Sequence, residues 1–238
     1  MWEPSVYTQK TGMTGERRIA PMSPAATRLY LFGKRLLDFF GAFFALMVLF
    51  PVFAALAVLV RLSSPGPIFH RRRVLAQQTY QGESQKLATF DAFKFRTMIV
   101  NADRYLEERP ELLKEFIEGG FKLKADPRVT KIGNLMRRLS LDELPQLFNI
   151  LIGQMSLVGP RMITPPELTM YESEENMRRL LSVLPGLTGY WQVNGRQNVH
   201  FTERVRLDME YIDTRSLGLD IEILLKTVVS VVRREGAY

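Results

Sequence analysis

The longest apolar stretch of the chain lies between Phe39 and Val60, where no side chain is charged or polar. An α-helix over these roughly 22 residues rises about 1.5 Å per residue and therefore extends about 33 Å, enough to cross the hydrocarbon core of a bilayer. A buried helix in the core of a soluble domain is rarely so long and so uniformly apolar. The pattern therefore predicts a segment that enters a membrane.

Two features bear on the topology of this apolar segment. Pro51 lies near its middle, where proline removes a backbone hydrogen bond and bends a helix. Basic residues flank both of its ends: Arg28, Lys34 and Arg35 before it, and Arg61, Arg71, Arg72 and Arg73 after it. Positive charge is typical of cytoplasmic flanks, so we predict a re-entrant hairpin that breaks at Pro51 and returns to the same side. A single crossing stays open as the alternative.

The remaining pattern predicts an α/β domain that is mostly helical and contains a small sheet. We predict a flexible tail over residues 1–27, a helix-break-helix in the membrane over 28–62, and a cytosolic domain over 63–238. The predicted elements of that domain are a strand within 90–98, a helix over 101–118 that Pro110 splits, a helix over 147–152 and a helix over 221–232.

The last of these helices is amphipathic. Its apolar positions recur at helical spacing: Ile221, Leu224, Leu225, Val228 and Val232. Such a stripe packs against the core of a domain or lies in a membrane interface, and the spacing fits both arrangements.

Composition narrows the chemistry. The chain of 238 residues has a formal net charge of +7 and a pI of about 9.7, which suits phosphorylated substrates, an anionic membrane surface or nucleic acid. It contains no cysteine, which excludes disulfides and thiolate sites, and only two histidines, His70 and His200. Any nucleophile is therefore a hydroxyl, a lysine or a carboxylate.

Asp142 and Glu143 form the most informative pair of acidic residues. Ser140 followed three positions later by Glu143 also matches a capping box, in which both side chains merely stabilise a helix start. Pro145 argues against that reading, because a helix capped by Ser140 would place the proline ring against the carbonyl of Leu141. A helix start nearer Asp142 places both carboxylates at the mouth of the helix instead.

Cations surround the acidic pair in the sequence. Arg137 and Arg138 precede it, and Arg161 follows within 156–161. A carboxylate that attacks a phosphate needs such positive charge to offset repulsion. Carboxylate and phosphate oxygens also suit Mg²⁺.

Several motifs resemble one known family. They occupy residues 64–69, 94–98, 125–130, 140–149, 155–161, 185–196 and 234–238. Together they are similar to the bacterial sugar transferases, the monotopic phosphoglycosyl transferases that start polysaccharide or glycan assembly. The resemblance runs from about residue 30 to residue 238. The terminal motif resembles members that act on hexoses in exopolysaccharide synthesis.

The resemblance implies a ping-pong reaction with a covalent intermediate. Asp142 matches the nucleophile, which attacks the β-phosphate of a UDP-sugar and expels UMP. A polyprenyl phosphate such as undecaprenyl phosphate then takes the phosphosugar. Glu143 matches the second acid, which acts as a Mg²⁺ ligand with Asp142 or as a proton acceptor.

The resemblance also implies the remaining site residues and the location. It assigns phosphate or substrate contacts to Lys94, Arg96, Arg137, Arg161, Thr188, Gln192 and Arg196. It places the membrane break at Pro51 and the catalytic domain on the cytoplasmic face of the bacterial inner membrane, in contact with lipid. A homodimer is an expected assembly, and nucleic acid is not an expected partner.

The chain departs from the family pattern at three places. Phe50 precedes Pro51 where the family has serine, Met162 follows Arg161 where the family has a second proline, and residues 77–86 form a longer, polar loop. Two other functions remain open: a catalytically inactive membrane scaffold of the same pathway, and a basic nucleic-acid-binding protein, for which no motif is present.

Overall fold

The computed structural model describes residues 24–79, 81–82, 86–118, 123, 125–171, 173–194 and 201–233. Nine α-helices and four short strands occur within these residues. The helices are α1 (Pro24–Ser63), α2 (Ala102–Glu107), α3 (Pro110–Glu118), α4 (Lys131–Arg138), α5 (Gln146–Leu151), α6 (Glu174–Leu181), α7 (Tyr190–Asn194), α8 (Phe201–Thr214) and α9 (Leu217–Arg233). The strands are β1 (Phe69–Leu75), β2 (Thr89–Phe95), β3 (Ser156–Val158) and β4 (Gly186–Thr188). The chain is therefore mostly helical with little sheet, as predicted.

The elements expected within the domain are confirmed. A strand occupies most of 90–98, the helix after Asn101 is split before Pro110, and helices cover 147–151 and 221–232. The strands form two separate pairs: β1 with β2 antiparallel, and β3 with β4 parallel. The β1–β2 register places His70 opposite Lys94 and Arg73 opposite Asp91.

Helix α1 differs from the prediction at its start and at its middle. It begins at Pro24, so residues 24–27 are helical, while residues 1–23 of the predicted tail lie outside the described residues. It then continues without interruption to Ser63 and contains Pro51. The predicted break in the helix is therefore absent. A proline in a helix interior costs about 3 kcal/mol, and packing on both sides of Pro51 offsets that cost.

One face of α1 packs against the domain along both halves of the helix. In the first half, Ala42 belongs to the main core, with Ala45 and Leu46 beside it. In the second half, Leu56 and Val60 pack in a smaller core with Phe95 and Met136. The opposite face is exposed and apolar: Phe32, Phe39, Phe40, Phe43, Phe44, Met47, Val48, Phe50, Val58, Leu59 and Leu62.

A buried polar network fixes the first half of α1. Asp38, 1% exposed, accepts hydrogen bonds from Ser156 Oγ at 2.9 Å and from the Leu157 amide at 2.8 Å. Lys34 Nζ lies 3.0 Å from Asp220 Oδ2 at the start of α9. Lys34 therefore neutralises a buried carboxylate, whereas its sequence position suggested a simple basic flank.

We expect Asp38→Ala to lower the free energy of unfolding by about 3 kcal/mol, because it leaves the buried Leu157 amide without its acceptor, removes one of two acceptors near the Ser156 hydroxyl and leaves Lys34 with one partner fewer. Thermal unfolding in detergent measures the effect. Asp213→Ala is the matched control, because Asp213 is 59% exposed and pairs with Arg179 at the surface; it should change stability by about 0.5 kcal/mol or less. Equal losses in the two variants would contradict a buried anchor.

The apolar stripe of α9 is divided between core and surface. Of the predicted stripe, Leu224 is half-buried, Ile221, Leu225 and Val228 are exposed, and the Val232 side chain lies outside the described ones. The buried positions Asp220 and Ile223 do not belong to that stripe. Much of the stripe that the sequence predicts therefore lies outside the core. Among the described residues, α1 is the one helix that is long and apolar enough to cross a membrane.

Candidate active site

The acidic pair lies in a broad cleft with a volume of about 3060 Å³. Asp142 and Glu143 occupy a 3₁₀ turn, Leu141–Glu143, that directly precedes α5. Ser140 adopts a left-handed conformation with φ of 53° and forms no side-chain cap. The capping-box interpretation is therefore wrong. The α-helix also begins later than the predicted start near Asp142, because α5 starts at Gln146 and the pair lies in the turn before it.

Glu143 is held by two cations. Its Oε1 lies 2.6 Å from Lys94 Nζ and 3.7 Å from Arg161 Nη2. The Lys94 and Glu143 side chains are only 14% and 16% exposed. The lysine comes from β2, which packs beside the 3₁₀ turn, so the β1–β2 hairpin supplies the main counter-charge of the acidic pair.

The two carboxyl groups have opposite pKa shifts. Burial raises the pKa of Asp142 and Glu143 adds to the rise, while Lys94 opposes it. Burial also acts to raise the pKa of Glu143, but Lys94 and Arg161 outweigh it, and the net pKa is lowered. Glu143 is therefore the firmly ionised member, and Asp142 is the acid whose charge depends on its surroundings.

The opposite pKa shifts of the two carboxyl groups predict that activity declines on the acid side of the pH profile. If ionised Asp142 is the reactive form, kcat/KM for the sugar nucleotide falls as pH drops through the raised pKa of Asp142. The midpoint should therefore lie above the value of about 3.9 for an ordinary aspartate. Initial rates in buffers of constant ionic strength measure it. A flat profile down to pH 4 would contradict the assignment.

Arg137 reaches the cleft from α4. Its Nε donates to Thr97 Oγ1 at 3.0 Å, which orients the guanidinium at the end of β2. The two elements approach closely at Gly133, where a Cβ would lie 2.0 Å from the Thr97 carbonyl oxygen. Glycine is therefore required there to bring α4, and with it Arg137, to the rim of the cleft.

Arg96 lines the cleft but has a structural contact of its own. It is 7% exposed and donates to the carbonyl oxygens of Pro65, at 2.6 Å, and Ser64, at 2.7 Å. These bonds tie the turn after α1 to the end of β2. A substrate contact by Arg96, expected from the sequence, therefore stays a prediction, and the geometry supports an anchoring role.

Two of the residues expected to shape the sugar-nucleotide pocket line the same cleft as the acidic pair. Thr188 is buried at the end of β4, and its Oγ1 lies 2.8 Å from Thr227 Oγ1. Gln192, on α7, also lines the cleft. The Gln192 Oε1 atom is buried and has no hydrogen-bond partner among the described residues. Arg196 lies outside the described residues.

One buried group behind Arg161 was missed by the sequence. Asp208, on α8, is 1% exposed and accepts a hydrogen bond from the Tyr171 hydroxyl at 2.9 Å. Burial raises the pKa of Asp208 to about 7, although Arg204 and Arg161 oppose the rise. In the sequence Asp208 resembles any acid of a polar helix, so no local signal identifies it.

The donor set fits a magnesium ion that also binds substrate phosphate. The described residues contain no cluster of three or more histidine or acidic side chains. Mg²⁺ commonly uses one or two carboxylates, water and the phosphates of its substrate. Asp142 and Glu143 are sufficient for that arrangement.

Comparison with known proteins identifies the family. The bacterial sugar transferase model matches residues 29–234. The chain is 41% identical over 209 residues to the exopolysaccharide production protein ExoY of Sinorhizobium fredii, covering 86% of this chain and 88% of that protein. It is 44% identical over 209 residues to an uncharacterized sugar transferase of Haemophilus influenzae, covering 86% of this chain and 42% of that protein.

A third relative carries a more specific name. The chain is 40% identical over 216 residues to the undecaprenyl-phosphate galactose phosphotransferase of Salmonella typhimurium, covering 90% of this chain and 43% of that protein. The chain thus spans less than half of two of these relatives and most of the third. The family match covers all described site residues. The chain therefore belongs to the bacterial sugar transferase family.

Proposed function

We propose that this protein transfers a hexose-1-phosphate from a UDP-sugar to undecaprenyl phosphate, the first membrane step of exopolysaccharide or glycan synthesis. The observation that supports the proposal is the half-buried acidic pair, Asp142 and Glu143, placed beside Lys94, Arg137 and Arg161 in one open cleft. The name of the Salmonella typhimurium relative indicates the same class of acceptor.

In the first half-reaction, an Asp142 carboxylate oxygen attacks the β-phosphorus of the UDP-sugar. The new bond joins Asp142 to phosphorus, the bond to the bridging oxygen breaks, and UMP leaves with the electron pair. Lys94 and Arg161 offset the negative charge that builds up on the phosphoryl oxygens. Arg137 faces the same cleft and is positioned to hold the nucleotide phosphates.

In the second half-reaction, a phosphate oxygen of undecaprenyl phosphate attacks the same phosphorus. The bond to Asp142 breaks, the carboxylate is regenerated, and the product is a lipid diphosphate sugar. Glu143 keeps its charge throughout, because its lowered pKa makes it a poor proton acceptor while Lys94 is in place. Its role is to hold Lys94 and to complete a cation site.

We further propose that Asp142 and Glu143 hold Mg²⁺ together with the donor phosphates. When bound, the ion supplies Lewis-acid stabilisation of phosphoryl oxygens. The chain's own residues then orient the phosphates around it. Loss of turnover with chelator and recovery with Mg²⁺ test this assignment.

A donor screen tests the function directly. The purified protein is incubated in detergent with undecaprenyl phosphate and, in turn, UDP-galactose, UDP-glucose and the corresponding N-acetylhexosamine nucleotides. We expect UMP release with at least one donor, and a UDP-hexose is favoured by the terminal motif at 234–238. Release with no donor in the panel, from protein that is folded, would favour the inactive scaffold.

We propose that α1 enters the membrane from one face and does not cross it. Both halves of the helix pack against the same domain, through Tyr30 and Asp38 on one side of Pro51 and Leu56 and Val60 on the other. The exposed apolar faces of α1 and α9 are then in lipid or at its interface. The enzyme would act on the cytoplasmic face, where its sugar nucleotide is made.

Labelling tests the topology, because the native chain has no cysteine. Ser5→Cys places a thiol in the N-terminal segment, and Glu174→Cys places one at an exposed position of α6. In intact cells, an impermeant maleimide should label neither thiol, and it should label both after permeabilisation. Labelling of the two thiols from opposite faces would show that the helix crosses the membrane.

A further inference from the structure

The helices α1 and α9 both contribute side chains to the lining of the cleft. They meet near their N-terminal ends, where a Cβ on Gly33 would lie 2.8 Å from Leu217 Cδ1 and Tyr30 donates to Asp220 at 3.3 Å. Farther along, Leu49 of α1 and Val231 of α9 both line the cleft. Each lies about 20 Å or more along its helix from the meeting point, at about 1.5 Å per residue. We call the space between these helices the apolar arm of the cleft.

The chemistry of the apolar arm differs from that of the acidic pair. Its lining includes five aliphatic side chains: Leu49, Leu157, Leu187, Leu224 and Val231. The hydroxyls of Thr227 and Ser230 are also present, and that of Thr227 is already bonded to Thr188 at 2.8 Å and to the Ile223 carbonyl at 2.8 Å. A nucleobase or a sugar would find few polar partners there and would lose hydrogen bonds to water.

The same cleft also carries positive charge. Lys94, Arg137 and Arg161 line it beside the acidic pair. A molecule that fills both parts needs an anionic head and an apolar tail. From this complementarity, and resting on the proposed function, we propose that the apolar arm holds the isoprenoid segment next to the phosphate of the acceptor lipid.

The apolar arm is continuous with the surfaces that we assign to lipid. On α1, the cleft-lining Leu49 is flanked by the exposed Val48 and Phe50. On α9, the cleft-lining Ser230 is flanked by the exposed Val229 and Val231. The acceptor therefore enters laterally from the bilayer between the two helices. Its tail stays in apolar surroundings while its phosphate reaches the phosphosugar.

Two matched pairs of tryptophan variants test the proposal. Ser230→Trp and Leu49→Trp fill the arm from its two helices. Val229→Trp and Val48→Trp are the controls, because these neighbours are 46% and 56% exposed and do not line the cleft. Tryptophan is well tolerated on a surface that meets lipid headgroups.

Two assays separate the half-reactions. Exchange of labelled UMP into the UDP-hexose, without lipid, reports the donor step alone; transfer to undecaprenyl phosphate in detergent micelles reports both steps. We expect Ser230→Trp and Leu49→Trp to keep the exchange rate within about twofold and to raise the KM for undecaprenyl phosphate by about tenfold or more. Normal exchange also shows that the variants fold.

Three outcomes would overturn the inference. Equal loss of exchange and transfer would place the donor in the arm. Normal transfer in both cleft variants would leave the arm without a role in acceptor binding, as would the same rise in KM in the two controls. Absence of UMP exchange in the unmodified protein would instead refute the proposed function itself, so the two failures are distinguishable.

Discussion

Asp142→Asn is expected to lower the rate of phosphosugar transfer by about 10³-fold or more, because the amide cannot form the acyl-phosphate intermediate. Both UMP exchange and transfer to undecaprenyl phosphate should be lost together, since both pass through that intermediate. Mass spectrometry of the intact protein, incubated with UDP-hexose and no acceptor, should detect a phosphohexose adduct in the unmodified chain and none in the variant.

The loss is not expected to come from unfolding. Burial raises the pKa of Asp142 above its unfolded value, so between those two pKa values the folded state binds more protons and stability falls as pH rises. The amide removes that penalty, and the variant should unfold at the same or a higher temperature at pH 7. Asp91→Asn is the control, because Asp91 pairs at the surface with Arg73 at 2.7 Å; it should keep its activity. If Asp142→Asn kept more than about one tenth of the turnover rate of the unmodified protein, Asp142 would not be the nucleophile.

The position of the acidic pair was predictable from local rules, but its electrostatics were not. Pro145 alone indicates that the pair precedes a helix, since proline is poorly tolerated one turn inside. The pairing of Glu143 with Lys94 depends on contacts between residues 49 positions apart. No periodicity encodes such a contact, so the lysine was identified only by its family motif.

Helix α1 likewise has features that the sequence predicts and features that it does not. Its length and apolar character follow from the sequence, whereas its anchoring does not. Asp38 binds Ser156 at a separation of 118 residues, and Arg35 donates to the Ile150 and Leu151 carbonyls at the end of α5. Read as a sequence, these side chains are only the polar border of a membrane segment. Their contacts hold the half of α1 before Pro51 on the domain, whereas the half after Pro51 is held by the apolar packing of Leu56 and Val60.

Some functional positions can be recognised only from the tertiary structure. The apolar arm joins Leu49 to residues of α9 that lie more than 170 positions later, and each residue alone is an ordinary member of an amphipathic helix. Arg96 illustrates the opposite case, because a motif suggested substrate binding and the structure places its guanidinium on two backbone carbonyls.

Lys94→Met is expected to lower kcat by about 10²-fold or more. The free energy of unfolding should change by less than the activation free energy does. The lysine offsets negative charge that develops on phosphoryl oxygens, and loss of one such electrostatic contact typically costs that factor. It also leaves Glu143, which is 16% exposed, with Arg161 at 3.7 Å as its nearest described cation. Steady-state rates with saturating donor and acceptor measure the change.

The pH profile separates this role from a merely structural one. Lys94 lowers the pKa of both Asp142 and Glu143, so its removal raises both, and the acid limb of kcat/KM moves to higher pH. Activity in Lys94→Met should therefore recover in part as pH rises, which a misfolded site would not do. Arg73→Met, on the same hairpin and 64% exposed, removes a surface pair and should leave both rate and profile unchanged. An unshifted acid limb in Lys94→Met would mean that the lysine does not set the charge of the nucleophile.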